Sequence, residues 1–278
     1  MQNEVVRKTF SDCVFTIRKG PFNKDENFPG PNALVAVIAK DSTPERDNPY
    51  LNVNELFPFK EFYENTKDED LSNYTFLTIE KSRVLVKLSD YIFSFIAGLG
   101  VKYVFAVCGG NAMHLVDSLG KNEDLTYIAT HHEQAATMAA EGYARISGKP
   151  GAALVTSGPG GTNTITGLCG AWIDSIPLII ISGQVTCNTL IGNTGLRQFG
   201  IQESNIVDIV KSITKYAVTV TDSKLIRYHL EKAVHLATTG RPGPVWLDIP
   251  LDIQSAQINP GELISFTPEI SEQKSQGN

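Results

Sequence analysis

From residue 84 onward the chain alternates short β-branched runs with amphipathic stretches of helical period, separated by turns of a few residues. This alternation constrains the fold more than any other feature. A strand that passes through a helix before the next strand pairs in parallel, and each crossover helix covers one face of the sheet. Strands are expected at "YVFAVCG", "LTYIAT", "GAALVTSG", "PLIIISG", "YAVTV" and "PVWLDIP". Helices are expected over 88–99, after Asn111, over 133–147, over 162–172, at "SNIVDIVKSI" and over 225–238. The expected class is α/β, a doubly wound parallel sheet with helices on both faces, whose ligands lie beyond the carboxyl ends of the strands.

Residues 1–83 have a different character. Pro- and Asn-rich stretches such as "FNKDENFPGPN" surround two strand-like runs, "CVFTIRK" and "ALVAVIA", so a small irregular N-terminal extension of unassigned role is expected. The α/β domain is placed at 84–255 and a polar, flexible tail at 256–278, ending in "SEQKSQGN".

Charge narrows the function. With 24 basic and 30 acidic residues the net charge is −6, so neither nucleic acid nor an anionic membrane surface is an expected partner. The longest apolar run, "IPLIIISG", is strand-sized, and no early segment has the layout of a secretory signal. A soluble, cytoplasmic location is the expectation. Cys13, Cys108, Cys169 and Cys187 lack C-x-x-C spacing, which fits reduced thiols.

The chemistry concentrates in "HHEQAATMAAEGYARISGKPGAALVTSGPGGTNTITG", residues 131–167. "TSGPGGTN", between a strand and a helix, would let backbone N–H groups approach a ligand. A G-x-G-x-x-G fingerprint, however, needs glycine where Asn163 stands, and no Walker lysine follows. By spacing alone, a tight turn and a ligand contact fit equally. Glu133 opens the alanine-rich helix, where a carboxylate complements the helix dipole whether or not it has a second role. An H-E-x-x-H zinc site would need histidine at Ala136, which leaves His131 and His132 as structural or pocket-mouth residues. A hydrolase lacks its elbow motif, and Ser157 has no evident base.

Five segments together resemble a known family: "GVKYVFAVCGGNAMHLVDSL", "HHEQAATMAAEGYARISGKPG", "TSGPGGTNTITGLCGAWIDSIPLIIISGQV", "IQESNIVDIVKSITKYAV" and "GRPGPVWLDIPLDIQ". In this order and spacing they are similar to the N-terminal, pyrimidine-binding domain of thiamine diphosphate (TPP) enzymes, most closely acetolactate synthases, over about 170 of the 278 residues. The resemblance implies that Glu133 hydrogen-bonds N1′ of the aminopyrimidine and promotes the tautomer that deprotonates the thiazolium. It places Gly109, Gly110, Asn111, Pro159, Gly160, Asn163 and Gln184 at the cofactor, and Gln202 and Lys215 along the substrate channel. Three positions depart from the family pattern: Cys108 replaces a proline, Ile201 an aromatic residue and Leu251 a lysine.

The implied activity is decarboxylation of pyruvate or another 2-keto acid followed by carboligation, a transferase chemistry of branched-chain amino acid biosynthesis. Family members hold the diphosphate and Mg²⁺ through a G-D-G motif that this sequence does not contain, and the FAD of acetolactate synthases occupies a further domain. The resemblance therefore implies a homodimer, or a hetero-oligomer with a chain that supplies the diphosphate half, or else a truncated form. A non-catalytic module pairing with a full-length relative is the alternative. Surface that would meet other domains is expected near "AWIDSIPLIII", favouring self-association.

Overall fold

The computed structural model describes residues 85–268 in full and, for 13–19, 34–39, 57–58 and 74–81, the backbone of strands. The chain divides into two compact units, Met1–Val84 and Leu85–Asn278.

In the first unit, β1 (Cys13–Lys19), β2 (Leu34–Ala39), β3 (Phe57–Pro58) and β4 (Tyr74–Lys81) form an antiparallel sheet in the order β1-β4-β2-β3. The first two strands fall on "CVFTIRK" and "LVAVIA"; the central strand β4, "YTFLTIEK", was not expected.

The second unit runs β5 (Val86–Lys87), α1 (Leu88–Gly98), β6 (Tyr103–Ala106), α2 (Met113–Lys121), β7 (Thr126–Ala129), α3 (Glu133–Ser147) and β8 (Gly151–Val155). It continues through α4 (Pro159–Thr162), α5 (Ile165–Ile173), β9 (Leu178–Gln184), α6 (Ile206–Val210), β10 (Tyr216–Thr219), α7 (Ile226–Thr238), β11 (Val245–Pro250), α8 (Leu251–Gln254) and β12 (Gln257–Ile258). Six of these strands make one wholly parallel sheet, in the order β10-β11-β9-β8-β6-β7. The α/β expectation holds.

Strand side chains alternate between two apolar layers, as a period of two requires. Val104, Leu154, Ile181 and Leu247 face a layer with Ile92 and Phe93 of α1, Leu115 of α2 and Leu230 of α7. Ala153, Val155, Ile180 and Trp246 face the other, with Ala140 of α3, Leu168 of α5 and Val210 of α6. The central strands β8, β9 and β11 are therefore buried along their whole length and read as mostly apolar runs, interrupted by Ser182, Gln184 and Asp248. Of "AWIDSIPLIII", β9 lies inside the sheet, and the exposed large apolar side chains are Trp172 and Ile173 at the end of α5.

α3 shows how local chemistry sets an element. Its alanines supply helix propensity, and Ala136, Ala140 and Ala144 recur at i+4 to form the buried stripe. Gly148, at φ 65°, ends it in the left-handed conformation. Beyond residue 255 the chain stays attached to this unit: β12 pairs with β5, Leu263 is buried, and Phe266 packs on Tyr228 and His235. The rest of the expected tail, 269–278, lies outside the described residues.

Candidate functional site

The chain passes from β6 outward to β7 and returns to β8 on the other side of β6. This reversal opens a crevice at the carboxyl ends of β6 and β8, the usual ligand position in such sheets. The loops bordering it carry "GGN" after β6 and "TSGPGGTN" after β8, while α3 starts beside it with Glu133.

Glu133 is the first residue of α3 and is buried at 8% exposure. The helix entry is held by His132, whose Nδ1 accepts from the Gln134 N–H at 3.2 Å, and Thr137 Oγ1 donates to the Glu133 carbonyl at 2.9 Å. His132 is thus an N-cap. Asn163 Nδ2 donates to Glu133 Oε2 at 2.8 Å, fixing one carboxylate oxygen. The other, Oε1, carries no hydrogen bond among the described residues and faces Gly160. A β-carbon at Gly160 would lie 3.2 Å from Oε1 and 2.7 Å from Thr156 Cγ2, so only glycine allows the turn to pack this closely on Thr156 and the carboxylate.

The glycine turn has its own geometric demand. Gly158 has φ 59°, and a side chain there would strike the carbonyl of Gln202. Pro159 opens α4 at its first position, where the missing N–H costs nothing, and its carbonyl accepts from the Asn163 N–H at 3.0 Å. Gly109 packs on Thr156 with no room for a side chain, and Gly110 begins the 3₁₀ turn Gly110–Ala112. Asn111 joins the loops: its Nδ2 donates to Ser157 Oγ at 2.6 Å and to the Ile201 carbonyl at 3.1 Å. The structure thus gathers Glu133, Gly109, Gly110, Asn111, Pro159, Gly160 and Asn163 around the two loops.

Gln184, at the end of β9, belongs to an adjoining buried network. Its Nε2 donates to Asp248 Oδ2 at 3.0 Å and to the Ser204 carbonyl at 3.2 Å. Asp248 also accepts from Ser182 Oγ at 2.5 Å and Thr219 Oγ1 at 3.0 Å. Burial pushes the Asp248 carboxyl up to about 6, against the pull of these three donors, and the charge of Glu203 adds to the rise. Glu203 accepts from the N–H groups of Ile191, Phe199 and Gly200, pinning the long loop after β9. Beside it lies a cavity of about 250 Å³ lined by Gln184, Ile191, Glu203, Ser204, Asn205 and Thr219.

The two channel candidates part company. Gln202 is exposed, adopts φ 57° and backs onto Gly158, next to the site. Lys215 lies at the amino end of β10, on the opposite edge of the sheet. Its ammonium donates to the Thr239 and Arg241 carbonyls at 2.7 and 2.8 Å, and burial lowers its pKa. Sequence reasoning assigned no site role to Thr156, Glu203 or Asp248; a single acid inside the apolar strand "VWLDIP" was the available signal for the last. Among the described residues, no group of three or more His, Cys, Asp or Glu could hold a metal ion, and no helix is long and apolar enough to cross a membrane.

Residues 86–204, which contain the whole crevice, match the family described as thiamine pyrophosphate enzyme, N-terminal TPP binding domain. The larger part of the α/β unit is therefore similar to the TPP-binding domain of that enzyme class. Over 168 residues the chain is 44% identical to the chloroplastic acetolactate synthase of Arabidopsis thaliana, covering 60% of this chain and 24% of that protein. It is 41% identical over 188 residues to the acetolactate synthase large subunit of Haemophilus influenzae, covering 64% and 31%, and 39% identical over 170 residues to that of Lactococcus lactis, covering 61% and 28%. Over the matched segment the chain is similar to TPP-dependent, acetolactate synthase-like enzymes, and it spans between about a quarter and a third of the length of these relatives.

Proposed function

We propose that the crevice receives the aminopyrimidine half of thiamine diphosphate in an enzyme that decarboxylates pyruvate or a related 2-keto acid and joins the remaining fragment to a second carbonyl. One observation carries this: Glu133 is buried at the mouth of the crevice, with Oε2 held by Asn163 and Oε1 without a hydrogen bond among the described residues. The residues present fit that group. When bound, the cofactor supplies the carbanion-stabilising chemistry of decarboxylation.

The chain's own part is positional and acid–base. Glu133 Oε1 would be the group to exchange a proton with a ring nitrogen of the cofactor, and Asn163 keeps the carboxylate from turning away. The glycine turn and Gly109–Asn111 shape the walls, and Gln184 faces the neighbouring cavity at the end of β9. The diphosphate and its Mg²⁺ are held by another segment, in a continuation of this chain or in a partner, and FAD, where the enzyme uses it, by a further domain. The exposed apolar side chains Leu196, Phe199 and Ile201 on the loop after β9 support a site closed by a second subunit, as homodimer or hetero-oligomer. Cytoplasmic branched-chain amino acid synthesis is the proposed setting, by analogy with the bacterial relatives.

Calorimetric titration with thiamine diphosphate and Mg²⁺, followed by CO₂ release from pyruvate, tests this on wild type and Glu133→Gln. With the segment that supplies the diphosphate half present, saturable binding with turnover that the variant abolishes is expected. Turnover that survives in Glu133→Gln would remove the carboxylate from the mechanism, and binding without any turnover would favour the non-catalytic alternative.

A further inference from the structure

Gln254, the last residue of α8, is fully buried, and its Nε2 donates to two backbone carbonyls: Ile249 in β11 at 2.8 Å and Asn111 in the loop after β6 at 2.7 Å. Its Oε1 is sealed from solvent without a partner among the described residues, so the amide is held by its nitrogen alone. Asn111 is the residue on which three loops converge, since its side chain reaches Ser157 after β8 and Ile201 after β9.

We infer that Gln254 is a positioning residue for the candidate site: it ties the Asn111 carbonyl to the end of β11 and thereby sets the loop against which the glycine turn closes. The bond spans 143 residues and joins the helix after the sheet's last parallel strand, β11, to the loop after its first, β6. A side chain without that donor releases both carbonyls, and Asn111 then loses the register that brings its amide to Ser157. Gln254 itself touches no ligand. Its effect on cofactor binding rests on the function proposed above; its effect on the Asn111 loop does not.

The test uses Gln254→Met in the full chain, which keeps length and apolar volume but donates nothing. The readouts are the ¹⁵N resonances of the Asn111 side-chain amide, assigned by their loss in Asn111→Ala, and of the Gly158 and Gly160 backbone. These signals should move while those of Gly240 and Gly243, at the opposite edge of the sheet, stay in place. Titrated with thiamine diphosphate and Mg²⁺, Gln254→Met should bind about tenfold more weakly, yet add no further loss in an Asn111→Ala background. Unmoved Asn111 signals, or losses that add in full, would overturn the inference. If Gln254→Met does not fold, Gln254→Glu replaces it. Its carboxyl donates only when protonated, so the Asn111 and Gly160 signals should return toward wild type as pH falls, and a pH-independent spectrum would overturn the idea. Failure of the wild type to bind thiamine diphosphate would count against the proposed function, while the resonance shifts would still decide the role of Gln254.

Discussion

Asn163 Nδ2 lies 2.8 Å from Glu133 Oε2, joining the residue after α4 to the first residue of α3 across the crevice. A hydrogen bond to an ionised group is stronger than a neutral one, so Asn163→Ala should lower unfolding free energy by about 1–2 kcal/mol. Asn163→Asp should cost more, because two carboxylates would then face each other at the same distance. Urea denaturation of the three proteins at pH 7.5 measures both, and equal stability of Asn163→Asp and wild type would show that the pair is not held.

Gly160 tests how closely the turn packs on Thr156 and the carboxylate. The new methyl of Gly160→Ala would lie 2.7 Å from Thr156 Cγ2, an overlap that should cost about 1–3 kcal/mol. Thr156→Ser removes that γ-carbon and should recover much of the loss in the double variant. A cycle of melting temperatures checks the coupling, and strict additivity would mean that the two residues do not compete for this volume.

Asp248 predicts a pH signature. Its carboxyl rises from 3.8 in the unfolded chain to about 6 in the folded one, so the folded state holds its proton more tightly. The neutral acid is therefore favoured by folding: the contribution of Asp248 to stability is fully present below pH 3.8, is lost as pH rises through about 6, and is constant above. Asp248→Asn should lack this slope and gain about 3 kcal/mol relative to wild type between pH 4 and pH 7. Parallel denaturation curves across that range would show that the carboxyl is not shifted.

Lys215→Met should cost about 1–2 kcal/mol, since the carbonyls of Thr239 and Arg241 lose their donor after α7. Chemical denaturation measures the loss, and hydrogen exchange should speed up at Gly240 and Gly243 first. Unchanged stability would mean that the ammonium is free to serve elsewhere.

Much of the sheet was legible because β8, β9 and β11 are buried from end to end and dominated by apolar residues, and their helices carry the complementary period. Glu133 stood out as a carboxylate opening an alanine-rich helix, yet nothing local separated a dipole partner from a site residue; the Asn163 bond supplies that distinction. Strand order was the larger gap. β11 inserts between β9 and β10, which brings Asp248 to Gln184, 64 residues earlier, and no periodicity reports such an insertion. The stretch after 255 misled for a similar reason: its polarity suggested a free end, but two residues pairing with β5 and the packing of Leu263 and Phe266 are enough to fasten it.

The bond from Gln254 to Asn111 also bears on how the protein is made. During synthesis the loop after β6 leaves the ribosome 143 residues ahead of the side chain that anchors it. β6, β7 and β8 can pair as soon as they emerge, but a partial chain keeps its crevice unlatched, and the ligand-facing loops acquire their final form only when the last parallel strand has been inserted.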